Sequence, residues 1–66
     1  MTWLELAHDT AAEYGLILSG VDADFVLWEG TGFPGFWETR DPLTECRDQL
    51  RVLFRSEFGL REVLGS

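Results

Sequence analysis

Apolar residues recur at Leu4, Ala7, Ala11 and Tyr14, the spacing of one buried stripe on an α-helix. Thr2-Trp3-Leu4-Glu5 has the S/T-x-x-E form of a capping box, in which the Thr hydroxyl and the Glu carboxylate each accept from an otherwise unpaired amide. Gly15 stands where a residue of left-handed conformation would end that helix. A second helical period runs through Leu43, Cys46, Leu50, Leu53 and Phe54. Asp41-Pro42 supplies its start, a capping side chain followed by a residue suited to the first helical position, and Gly59 after Phe58 marks its end. Leu60, Val63 and Leu64 keep helical spacing and predict one more short turn.

Between the two helices the pattern changes. Leu16-Ile17-Leu18 and Phe25-Val26-Leu27-Trp28 are short runs of β-favouring residues, separated by Ser19-Gly20-Val21-Asp22, which has turn chemistry. Gly30-Thr31-Gly32 bounds the second run. Phe33-Pro34-Gly35-Phe36-Trp37 reads as a third strand, at an edge because Pro34 has no amide to donate. The predicted fold is therefore α+β, with two helices packed on one face of a small two- or three-stranded antiparallel sheet.

Sixty-six residues build one core, so residues 1–66 are expected to form a single domain of marginal stability. A content of 45% hydrophobic and 14% aromatic residues excludes the disordered class despite the charge. One cysteine permits no internal disulfide, and no apolar run reaches the ~18 residues of a membrane span. The N-terminus lacks the basic and apolar regions of a signal peptide. These features point to a cytoplasmic protein.

The charge is unevenly placed. Residues 1 to 39 carry seven acids and no Lys or Arg, so the whole net charge of −7 resides there, while residues 40 to 66 balance five acids against five arginines. A chain of this sign lacks the basic footprint for direct nucleic-acid binding. Glu5, Asp9 and Glu13, four residues apart, lie about 6 Å apart along a helix axis and form an acidic ridge. Asp22, Asp24 and Glu29 extend the negative field past that helix. The plain reading of the ridge is a solvated face; the functional one is a row of carboxylates standing in for the phosphates of DNA, which repeat every ~3.4 Å of axis along each strand. Arg47, Arg51 and Arg55 form a stripe on the second helix, where Asp48 can pair with Arg51, and their simplest role is to lie over the sheet edge or to reach the acids of helix one, ahead of a phosphate-binding stripe.

Trp28, Phe33, Phe36 and Trp37 are a dense aromatic group for so short a chain. Most must be core, and one or two left exposed, with Trp28, Phe33 and Trp37 the candidates, would anchor a partner. Catalytic chemistry is poorly served. His8 is the only histidine, Cys46 lies on the apolar face of its helix, and neither a Ser-His-acid set nor a metal-ligand spacing exists. Asp22-x-Asp24 lacks the rest of an EF-hand loop, and Gly30 to Gly35 lacks the Lys of a phosphate-binding loop. No catalytic residue, metal or cofactor is assigned.

A short, Lys-free, strongly acidic chain with Glu5, Asp9 and Glu13 in a row resembles the small inhibitors that phages and mobile elements direct at host defence nucleases, the anti-CRISPR and anti-restriction DNA mimics. The resemblance is to the type, with no shared signature sequence. It implies a non-catalytic inhibitor, acting in the host cytoplasm, that presents Glu5, Asp9, Glu13, Asp22, Asp24 and Glu29 to the basic nucleic-acid-binding cleft of a nuclease or CRISPR complex. The neutral, Arg-bearing second half departs from a uniformly acidic mimic. The alternative is a protein-interaction or accessory module, of antitoxin or assembly-subunit type, that binds through aromatic residues 28–37.

Overall fold

The computed structural model of the chain describes residues 1–32 and 34–63. Three helices, α1 (Trp3–Ala12), α2 (Gly20–Thr31) and α3 (Pro42–Ser56), pack pairwise on one another, and a 3-10 turn at Phe36–Glu38 leans on α3. No strand occurs among the described residues, so the fold is all-α and the expected α+β sheet is corrected.

Both helices read from the sequence are present with their caps. The Glu5 amide donates to Thr2 Oγ1 at 3.1 Å and the Thr2 amide donates to Glu5 Oε1 at 3.0 Å, which completes the capping box. Gly15 adopts φ +71°, and the paired bonds from the Leu16 amide to the Ala11 carbonyl and from the Gly15 amide to the Ala12 carbonyl close α1 in a Schellman pattern. Asp41 caps α3, accepting from the Thr44 amide and hydroxyl, with Pro42 as the first helical residue.

The segment read as two strands is α2. Ser19-Gly20-Val21-Asp22 is its N-terminus, where Ser19 Oγ accepts from the Asp22 amide at 3.1 Å. Ala23, Val26, Leu27 and Gly30 then fall at i, i+3, i+4 and i+7, and this stripe, buried or half-buried, faces the other helices. Phe25-Val26-Leu27-Trp28 is thus helical in spite of its β preference, because tertiary burial of that stripe outweighs a propensity difference of a few tenths of a kcal/mol per residue. Gly30 lies inside the helix, not in a turn. A Cβ there would sit 3.1 Å from both Cys46 Sγ and Leu50 Cδ2, so the missing side chain is what lets α2 approach α3. The third predicted strand is also absent, with Phe36 and Trp37 in the 3-10 turn. Phe33 lies outside the described residues.

After α3, Gly59 at φ +64° turns the chain, and residues 60–63 run back across the end of α1 instead of forming another helical turn. The Val63 amide donates to the Glu13 carbonyl at 2.7 Å, and the Tyr14 hydroxyl donates to Glu62 Oε1 at 3.2 Å. Leu64 lies outside the described residues.

The core joins Leu6, Ala7, Ala11 and Tyr14 of α1 and its end to Ala23 and Val26 of α2, Phe36, and Cys46, Leu50 and Phe54 of α3. Leu6 and Thr10 enlarge the stripe expected for α1, whereas Leu4 is half exposed. Thr10 is buried without penalty because its hydroxyl donates to the Leu6 carbonyl at 2.7 Å. Burial pushes the Cys46 thiol up to about 11, so almost no thiolate exists at neutral pH. Iodoacetamide is expected to modify Cys46 only as fast as the protein opens, with a rate that climbs with urea. Rapid stoichiometric labelling of the native protein would show that the α2–α3 contact is not closed.

Candidate protein-binding face

Helix α2 has apolar residues on more than its inner side. Val21, Asp24 and Trp28 share the stripe opposite Ala23, Val26 and Gly30, and Trp28 is 78% exposed. Across a groove of about 220 Å³ stands Trp37, 72% exposed, with Trp3, Leu27 and Thr31 lining the space between the two rings. Trp37 is held from behind. Its ring meets Phe36 edge-on with centroids 4.8 Å apart and Trp3 in the same manner at 6.0 Å, and Phe36 itself is fully buried in the core. The Thr31 hydroxyl donates to the Leu27 carbonyl at 2.9 Å, so that polar group, in the lining between the tryptophans, is already satisfied.

The face is therefore aromatic and shallowly concave, with two large rings left in water. Sequence reasoning identified Trp28 and Trp37 as candidates, and both stand on this face. It did not place Leu27 there, although the offset of Trp28 from the 23, 26, 27, 30 stripe would have marked Trp28 as outward-facing once α2 was seen as a helix.

The six predicted acids do not form one surface of equal members. Glu13 is half-buried and bridged to α3, with Arg51 Nε donating to Oε1 at 2.8 Å and Nη2 to Oε2 at 3.0 Å. That bidentate pair, with Asp48 at 3.5 Å from Arg51 Nη1, answers what the arginine stripe does: it ties the two halves of the chain together. Arg55 donates to the Arg51 carbonyl and Arg47 to the Met1 sulfur. Helix α3 ends at Ser56, before Glu57 and Arg61. Glu5 is engaged in its capping box, and the hydrogen bonds from Thr2 hold its carboxyl below the usual range. Asp9, Asp22, Asp24 and Glu29 are exposed, and among the described residues no ion pair involves their side chains. Asp9 lies on α1 and the other three on α2, so the ridge on α1 is shorter than its sequence spacing implies.

Arg51 holds the Glu13 carboxyl below its ordinary 4.5. A carboxyl whose folded value is depressed stabilises the fold above the unfolded value and loses that contribution as the pH falls through the folded one. Glu13→Gln is expected to cost about 1 kcal/mol at pH 7. It should also make the urea midpoint less sensitive to pH below 4.5 than that of the unsubstituted chain. Equal acid slopes for the two proteins would show that the bridge does not form in solution.

Catalytic geometry is not in evidence among the described residues. His8 is exposed on α1, Cys46 is enclosed, and no group of three or more His, Cys, Asp or Glu side chains could hold a metal ion there. No described helix is long and apolar enough to cross a membrane. No family model, curated protein or solved structure matches the chain.

Proposed function

We propose that this chain is a non-catalytic binding module, working in a reducing cytoplasm, that docks a partner protein through Trp28 and Trp37. The observation that carries the reading is the pair of tryptophans, each about three-quarters exposed on either side of one shallow groove. A ring of this kind offers roughly 150–250 Å² for burial. At about 25 cal/mol per Å², covering two of them supplies several kcal/mol to an association. Asp24 shares the outer stripe of α2 with Trp28, and the chain is strongly acidic, so a partner with basic residues around an apolar pocket fits best.

A second reading, the DNA-mimic inhibitor of a host defence nuclease or CRISPR complex, is favoured by the exposed and unbridged Asp9, Asp22, Asp24 and Glu29. The bridge from Glu13 to Arg51 takes one carboxylate away from it. Salt separates the two. Charges seen across solvent are screened within about 8–10 Å at 0.1–0.15 M ionic strength, whereas burial of tryptophan is nearly indifferent to it. The tagged chain, used to capture partners from lysate of its source at low salt and then washed in steps, should retain its partner to high salt. Elution of a nuclease or CRISPR subunit at moderate salt would replace the tryptophan reading with mimicry.

A further inference from the structure

On the opposite flank of α2 from the tryptophan face lies a second apolar depression of about 330 Å³, formed by the α1–α2 linker, α2 and the segment after α3. Ile17 is 95% exposed at its edge, and Phe25 and Phe58, both about half exposed, stand over Leu18 and Leu60. The same two phenylalanines border a further depression of about 220 Å³ that continues over Leu53 toward the end of α3. The two adjoin at Phe25 and Phe58, the rings that line both, and form a groove in two parts. Its apolar floor is flanked by three carboxylates, Asp22 at one end and Glu29 and Glu57 at the other, and no arginine lines it. None of the three side chains makes an ion pair or a hydrogen bond among the described residues. Asp22 and Glu29 are seven positions apart on α2, about two helical turns.

We infer that this groove receives an amphipathic helix of a partner protein, with an apolar stripe seated on Ile17, Phe25 and Phe58 and Lys or Arg along its flanks facing Asp22, Glu29 and Glu57. Length and charge both favour that occupant. A two-turn trough with an apolar floor matches the i, i+3, i+4, i+7 anchors of a helix laid in a groove, and the unpaired acids near its two ends select basic residues beside the apolar stripe there. A second copy of the chain would bring its own acids against these three at a net charge of −7 per copy, and an anionic lipid surface would be repelled in the same way. The groove does not depend on the tryptophan face. If both are used, the chain bridges two partners on the two flanks of one helix.

The probe is a fluorescein-labelled peptide of about 18 residues made of Leu and Lys alone, with Leu on one helical face, beside a shuffled peptide of the same composition. Anisotropy should report saturable micromolar binding of the amphipathic peptide and at least about tenfold weaker binding of the shuffled one. Ile17→Asp, at a side chain almost wholly in water, should reduce affinity about tenfold or more while leaving the far-UV circular dichroism unchanged. Asp22→Asn with Glu29→Gln and Glu57→Gln should weaken binding and flatten its salt dependence, and Trp28→Ala with Trp37→Ala should leave it intact. Equal binding of the two peptides, no saturation, or loss on the tryptophan substitutions would overturn the inference. So would a concentration-dependent dimer, or binding to phosphatidylserine vesicles, that Ile17→Asp abolishes.

Discussion

Phe54→Ala is expected to leave no cooperatively folded protein at 25 °C. Phe54 is fully buried where α3 meets α1, with its ring 5.4 Å from that of Tyr14 and 5.9 Å from that of Phe58. Removing a buried phenylalanine costs about 3–5 kcal/mol through lost burial and the cavity left behind. A chain below about 70 residues rarely has more than 3–5 kcal/mol in total. Neither a disulfide nor, among the described residues, a metal cluster offsets the loss. Phe58→Ala is the comparison, since that ring is already 46% exposed and its loss should cost about 1 kcal/mol or less. Urea titration followed by circular dichroism reads both. A Phe54→Ala protein with a sharp transition and a loss near 1 kcal/mol would mean that the core is organised differently.

Substituting Trp28 and Trp37 together by Ala should abolish partner binding while the fold persists. Central tryptophans in interfaces commonly cost 2 kcal/mol or more each when truncated, so the pair is expected to weaken binding by about a thousandfold at 1.4 kcal/mol per tenfold. Their contribution to folding comes mainly from Trp37 and is a sizeable part of the ~3–5 kcal/mol open to so short a chain, so binding is compared at a temperature where the melting curve shows the variant folded. Trp28 is 78% exposed, and its loss should change stability by about 0.5 kcal/mol or less. Trp37 makes edge contacts with Trp3 and Phe36, worth about 0.5–1.5 kcal/mol each. Calorimetric titration of the captured partner against each variant, with a melting curve for each, separates lost binding from lost folding. A double variant that binds within about threefold of the original chain would remove the tryptophans from the interface.

How far the sequence carried the fold differs from helix to helix. For α1 and α3 the signals agreed at every level: Thr2 with Glu5 and Asp41 with Pro42 at the starts, Gly15 and Gly59 beyond the ends, and apolar periods between. For α2 they conflicted. Two of the four residues in its inward stripe, Ala23 and Gly30, barely register as apolar, whereas Val21, Phe25 and Trp28 are large, β-favouring and exposed. Those outward residues blurred the helical period into an apparent strand, and Ser19 looked like a turn because an N-cap and a turn use the same side-chain-to-amide bond. Conflict of this kind between local pattern and final structure is expected where a surface is kept for binding.

The candidate site was legible in its parts and not in its arrangement. The aromatic density of residues 28–37 marked Trp28, Phe33 and Trp37 as rings that would anchor a partner if exposed, yet only the packing of Phe36 into the core and of Trp37 onto Trp3 decides which are. The acids were counted correctly, but their spacing could not reveal that Glu13 turns inward to Arg51, a contact 38 residues away in sequence. The groove between Ile17 and Phe58 escaped notice because its residues come from three separate segments.

The most direct test of the central claim is site-specific photocrosslinking in cells of the source, with a diazirine side chain placed in turn at Thr31 between the two tryptophans and at Asp9 on the acidic side of α1. Both variants are expected to fold, since Thr31 is half-buried at the groove floor and Asp9 is exposed. A partner protein crosslinked from position 31 and absent from position 9 is the predicted result. A partner captured from position 9 and missed from position 31 would contradict the account and place the contact on the carboxylates.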